Sequence, residues 1–217
     1  MTEDRRKFTR EGQARRREDL IAAALELIAE GGLQAATVRA IADRAGVTPG
    51  LIRHYFQTKE DLTRAAYRTL MDSMTHTNAE VLDAAPDDPA TRLAAFVAAS
   101  LRPPVVDPAA MGLWAGFIHM VRRDPAMREI HESTYLGYRD RLQTLIAALP
   151  GEQDAATLRA QAIACNAVID GLWLEGCALP EAFGAEELAD IGLTTVGAIL
   201  NTELICLKPS TSPPETP

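Results

Sequence analysis

Ten residues between Thr37 and Lys59 are of the types, and in the order, that can read a nucleic acid. Arg53 can donate two parallel hydrogen bonds to guanine O6 and N7, worth roughly 1–3 kcal/mol of discrimination between bases. Leu51 can touch a thymine methyl, and Gly50 lets the backbone approach a groove closely. Thr48, Pro49 and His54 share the same short segment. Arg39 can reach a base edge or a phosphate. Thr37, Tyr55 and Lys59 suit phosphate oxygens, Thr37 and Lys59 because each adds a hydroxyl or ammonium to a helix N-terminus. Other chemistries are poorly served. His119, His131, Asp124 and Glu132, the candidates for an all-α enzyme, form no nucleophile–base spacing, and no glycine loop suits a nucleotide. Cys165, Cys177 and Cys206 are odd in number and lack CxxC spacing, and the four histidines lack metal-ligand spacing. No catalytic residue, metal or cofactor is indicated.

The segment TVRAIADRAGVTPGLIRHYFQTK, residues 37–59, reads as a short helix, a glycine turn, a second short helix and the capped start of a third. Thr37 and Thr48 are N-caps, Pro49 stands at N1, and Thr58 with Asp61 makes a near capping box. Ala42 must be small where the two helices cross, Gly46 suits a positive φ, and Ile52 faces the core with Ile41, Ala45 and Val47. This is a helix-turn-helix, with its motif at 37–56, whose second helix enters a major groove. A helix from about Ala14 to Ile28 precedes it, and residues 2–14 read as a polar arm. Arg5, Arg6 and Lys7 there, with Arg15, Arg16 and Arg17 just beyond, suit phosphates or a minor groove.

Further helices are expected from Thr58 to about Leu82, from Ala90 to Leu101, and from the Asp107-Pro108 cap through MGLWAGFIHMVRR. Others run from Asp124-Pro125 to about Leu149, from Ala156 to Ala178, and from Ala185 to Cys206. With little β-branched alternation, the chain reads as all-α. The domains are a reader at 1–68, a ligand-binding and dimerisation body at 69–206, and a proline- and serine-rich disordered tail at 207–217. The net charge of −8 divides into about +3 over residues 1–68 and −11 over the remainder, so the basic surface belongs to the reader. No apolar run is long enough for a bilayer, and no apolar segment follows the basic N-terminus. A cytoplasmic protein without a membrane partner is expected.

These residues resemble the TetR family of bacterial transcriptional regulators, on the strength of TVRAIADRAGVTPGLIRHYF, the helix before it, and TKEDL after it. LWAGF at 113–117 and IDGLWLEG at 169–176 are similar to segments of the choline-responsive repressors of betaine synthesis. The resemblance implies a repressor that binds a palindromic double-stranded operator as a homodimer and is released by a small-molecule effector. Family members often carry tyrosine at the Arg53 position.

In the body, Leu158, Ala162, Cys165, Ile169, Leu172 and Gly176 recur at helical spacing. So do Leu188, Ile191, Thr195, Ala198, Thr202 and Ile205 in the last helix. Both stripes suit close helix packing, so the last two helices are expected to form the dimer interface. Trp114, Phe117 and Ile118 share a helical face, and Trp173 stands near Asp170. With Tyr135 and Tyr138 these are the effector candidates, since rings beside a carboxylate suit a quaternary ammonium. Core filling is the competing role for each ring.

Overall fold

The computed structural model describes the backbone of residues 3–205 and, apart from His76 and Ala79, the side chains from Gly12 onward. The tail expected at 207–217 lies outside the described residues. All regular structure among the described residues is helical. The chain divides into two compact units, one of residues 1–74 and 108–137, the other of 75–107 and 138–217.

The first unit begins with α1 (Glu3–Gly31), α2 (Val38–Arg44) and α3 (Pro49–Tyr55), then the first part of α4 (Lys59–Ala84). The expected arm is therefore helix, and α1 starts eleven residues before Ala14. α6 (Pro108–Val121), α7 (Pro125–His131) and a π-helical turn, Glu132–Leu136, complete the unit. One core runs through it: Leu20, Ala24 and Ile28 of α1 meet Ile41, Ala42, Ile52, Leu62 and Tyr67, with Phe117 and Met127 joining. The boundary expected at residue 68 falls within α4, and the unit also takes in α6 and α7. The physical reason is size, because α2 and α3, at seven residues each, add too little apolar surface to α1 for a core of their own.

The second unit holds the end of α4, α5 (Pro89–Ser100), α8 (Gly137–Ala147), α9 (Ala155–Ala178), a 3-10 turn at Pro180–Ala182, and α10 (Glu187–Leu200). The single helix expected from Asp124 to Leu149 is α7 and α8, with the π turn between them. α10 ends at Leu200, because Asn201 adopts φ 49, a left-handed cap that asparagine tolerates. Thr202 and Ile205 thus lie beyond the helix that was expected to carry them. α9 and α10 pack so closely that a Cβ on Gly176 would overlap Leu188 Cδ1. Among the described residues, no helix is long and apolar enough to cross a membrane.

Candidate nucleic-acid interface

Local chemistry fixes the reader before packing does. Thr37 caps α2, its Oγ1 accepting from the Ala40 N–H at 3.1 Å. Gly46 then turns the chain at φ +65, and the Val47 N–H donates to the Ala42 carbonyl at 2.9 Å. Thr48 caps α3 by its backbone conformation, and its hydroxyl makes no capping hydrogen bond. Thr58 and Asp61 close a reciprocal box at the start of α4, with both bonds at 3.1 Å. The Thr58 hydroxyl bond holds the Asp61 carboxyl below the usual range.

Packing then sorts the faces. Ile41, Ala42, Ile52 and Phe56 are buried, whereas Thr37, Arg39, Thr48, Pro49, Gly50, Arg53 and His54 are exposed. Leu51, Tyr55 and Lys59 are half-buried. The His54 and Tyr55 rings meet edge to face at 5.1 Å. All ten reader candidates therefore keep surface available to a ligand. A Cβ built on Gly50 meets only Thr48 Oγ1, at 3.9 Å, so nothing within the protein requires glycine there.

The four arginines between Val38 and Tyr67 separate into two kinds. Arg44 is tied to α1, donating to both oxygens of Glu30 at 2.9 and 2.7 Å and to Glu26 at 3.1 Å. The Arg44 hydrogen bond lowers the Glu30 pKa. Arg64 bridges Asp61 at 3.1 Å and Asp124 at 2.9 Å. Among the described residues, Arg39 and Arg53 form no ion pair. Two cations are spent on architecture, and two remain for an external anion or base edge.

Two of the four groups considered for catalysis, Asp124 and His131, are also engaged. Asp124 caps α7 through the Ala126 and Met127 N–H groups and holds Arg64. Burial pushes its carboxyl upward, but these hydrogen bonds prevail and its pKa is lowered. His131 Nδ1 and the Tyr67 hydroxyl share a hydrogen bond at 2.7 Å, and burial raises the Tyr67 pKa to about 12.

The effector candidates fall into both compact units. In the first, Phe117 is fully buried with its ring 5.2 Å from Tyr67, which makes it a core residue. Trp114 and Tyr135 are partly buried against that same core, and Ile118 is half-buried. Tyr135 stacks on His131 at 5.2 Å. In the second unit, Trp173 is buried and its indole donates to the Val105 carbonyl at 2.9 Å. Tyr138 and Ser100 share a hydrogen bond at 2.7 Å, and half-buried Asp170 accepts from Asn166 Nδ2 at 2.8 Å.

The structure redraws the expected dimer stripe on α9. Ala162, Cys165, Ile169 and Gly176 face the unit's own core, because Gly176 is where α10 comes closest. The outward face carries Ala160, Ile163, Ala167, Gly171, Leu174 and Ala178, with Ile163 41% and Leu174 48% exposed. On α10, Ile191 and Ala198 are exposed as expected, Thr195 is half-buried, and Leu188 is buried. The sequence held a signal for the outer α9 face, since small and apolar residues also recur there at helical spacing.

Comparison with known proteins bears on both units. Residues 20–66 match the bacterial regulatory proteins of the tetR family, and residues 89–201 match the BetI-type transcriptional repressor C-terminal domain. The HTH-type transcriptional regulator BetI of Burkholderia thailandensis is 34% identical over 162 residues, 74% of this chain and 81% of that protein. BetI of Ectopseudomonas mendocina is 32% identical over 188 residues, 86% of this chain and 94% of that protein. A transcriptional regulator from Pseudomonas aeruginosa PAO1 superposes with a TM-score of 0.80 at 30% identity, covering 87% of this chain and 92% of that one. One from Saccharomonospora viridis, solved in complex with choline, gives 0.66 at 20% identity, covering 87% and 96%. At that identity the likeness concerns the fold.

Proposed function

From the premise that the chain belongs to the TetR family of bacterial transcriptional regulators, with a BetI-type C-terminal domain, we propose how it works. It is a homodimeric repressor that reads a palindromic operator through α3 and is released by a cationic effector. The observation carrying the DNA contacts is the outward face of α2 and α3. Arg39, Arg53, Thr48 and His54 stand exposed there, with neither arginine held in an ion pair among the described residues. Arg53 reads a base edge, Leu51 meets a thymine methyl, and Thr37, Tyr55 and Lys59 hold phosphates.

One such reader covers too little DNA for tight specific binding, so two act together on adjacent half-sites. The second copy docks on the outer α9 face and on Ile191, Thr194 and Ala198 of α10. An apolar stripe of this length left in water is otherwise unfavourable. The protein acts in the cytoplasm, beside its DNA.

The effector is choline or a compound of similar charge and size. Support comes from the choline-bound S. viridis relative and from the half-buried Asp170, a carboxylate that attracts a diffuse cation. Of the aromatic candidates, Trp114, Tyr135 and Tyr138 keep accessible surface. Effector binding shifts the dimer toward a geometry whose readers no longer match successive grooves. α4, which contributes to both compact units, carries that change. Reciprocally, operator DNA weakens effector binding by the same factor.

Genomic fragments captured by the purified chain supply the operator, and choline is titrated against that complex. Release by choline, blunted in Asp170→Asn, is expected. Sequence-specific capture with no choline response would remove the proposed effector, and capture without sequence preference would remove the operator reading.

A further inference from the structure

Tyrosine and tryptophan aside, the polar residues buried among the described ones are Asn78, Ser100 and Asn166, and all three belong to the second compact unit. Two of them are engaged. The Ser100 hydroxyl donates to the Phe96 carbonyl at 2.8 Å and shares a hydrogen bond with Tyr138 at 2.7 Å. Asn166 donates from Nδ2 to the Asp170 carboxylate at 2.8 Å. Asn78 differs from both. It is 1% exposed, and neither its Oδ1 nor its Nδ2 has a hydrogen-bond partner among the described residues.

The helix pattern makes this amide conspicuous. Leu62, Ala66, Leu70, Met74, Asn78 and Leu82 follow one another along α4 at four-residue steps. Met74 is half-buried and the others are buried, so Asn78 is the polar member of an otherwise apolar series. Leucine serves at three of the other five positions and would suit this one. A buried amide with donor and acceptor both unpaired weakens the fold, whereas an apolar side chain of similar shape does not. The benefit of asparagine at position 78 therefore lies outside the packing of the chain itself.

The amide also defines what would satisfy it, since it offers one acceptor oxygen and a nitrogen with two donors. A quaternary ammonium group uses neither, because it has no N–H and no lone pair. An ether or carboxylate oxygen accepts from Nδ2 but leaves Oδ1 unpaired. A hydroxyl does both, accepting from Nδ2 and donating to Oδ1.

We propose that Asn78 is the hydrogen-bonding contact of the effector site, and that the effector is a cation carrying a hydroxyl. This rests on the effector assignment above and deepens it. Asp170 answers the positive end by charge, and Asn78 answers the hydroxyl by pairing both of its own polar atoms. Asn78 stands on α4, so the contact acts directly on the helix assigned to carry the change.

Calorimetric titration of the full chain tests this with choline and with propyltrimethylammonium, in which a methyl group replaces the hydroxyl. Wild type binds choline more tightly by about tenfold or more, because the analogue leaves the buried amide unpaired. Asn78→Leu abolishes that preference by weakening choline binding while propyltrimethylammonium binds as well or better, and its ligand-free Tm is equal to wild type or higher. Asn78→Ala, which cannot overpack, loses the preference as well. Equal wild-type affinity for the two compounds would overturn the proposal and leave a cationic effector standing. A preference for choline that survives in both variants would overturn it too, and is the result expected of an amide that holds only an internal water. If wild type binds neither compound, the effector assignment falls first, and this inference with it.

Discussion

α3 and α9 present opposite cases of one problem: which face of a helix meets its own core. α3 has one apolar side and one side of arginine, histidine, threonine and glycine, so the division is visible in the residue types. α9 is apolar or small on two sides. Ala162, Cys165 and Ile169 face inward, while Ile163, Ala167 and Leu174 face outward. Chemical contrast singles out the face of α3 proposed to meet DNA, whereas a face proposed to take a second copy of the same chain leaves no contrast to read. Apolarity on two sides still signals two partners, even where it does not say which side takes which.

The sharpest way to break this comparison is to place the same charge on neighbouring α9 positions. Ala162→Asp puts an unpaired carboxylate into the core and is expected to cost at least about 3 kcal/mol, enough to lose the cooperative thermal transition. Ile163→Asp should leave helical content intact while sedimentation shows a monomer and operator affinity collapses. Equal unfolding in both variants would erase the distinction between the faces.

Next in size is the division among arginines. Arg53→Ala should cost roughly 1–3 kcal/mol of discrimination between the selected duplex and a scrambled one, with little loss of non-specific affinity. Arg44→Ala should reduce thermal stability slightly and leave discrimination unchanged, since its charge is engaged by Glu30 and Glu26. Reversal of these outcomes in competition binding would exchange their roles.

Gly50→Ala sharpens the contrast further. Because the new Cβ has room within the protein, stability should be equal or higher by up to about 1 kcal/mol. Operator affinity should nevertheless fall if DNA lies against that backbone. The smallest effect concerns acid. Glu30, Asp61 and Asp124 all have lowered pKa values in the folded reader unit. Their contribution to stability is full above the ordinary carboxylate pKa of about 4 and fades as pH falls through the lowered values. Urea melts of Asp61→Asn should show less acid sensitivity than wild type.

Much of the reader was legible because its signals are local. Thr37, Gly46, Pro49 and the Thr58–Asp61 box each act on the backbone within four residues, so no tertiary information was needed. The start of α1 is hard to place from sequence because Phe8 and Ala14 alone are apolar between Glu3 and Asp19, so no apolar stripe marks a helix there. Phe117 was grouped with effector residues because helical spacing relates it to Trp114 and Ile118. Only tertiary packing shows that it is fully buried against Tyr67, in the core that Met127 joins. The end of α10 is hard to read from sequence because Asn201, unlike glycine, is a weak stop signal.

The central claim is that α3 sits in the major groove of two successive half-sites. Dimethyl sulfate interference tests it directly, because methylation at guanine N7 lies in the major groove and methylation at adenine N3 in the minor groove. Partial methylation of the selected duplex should abolish binding when guanine N7 is modified in two clusters about one helical turn apart. Interference confined to adenine N3, or spread evenly along the duplex, would contradict it.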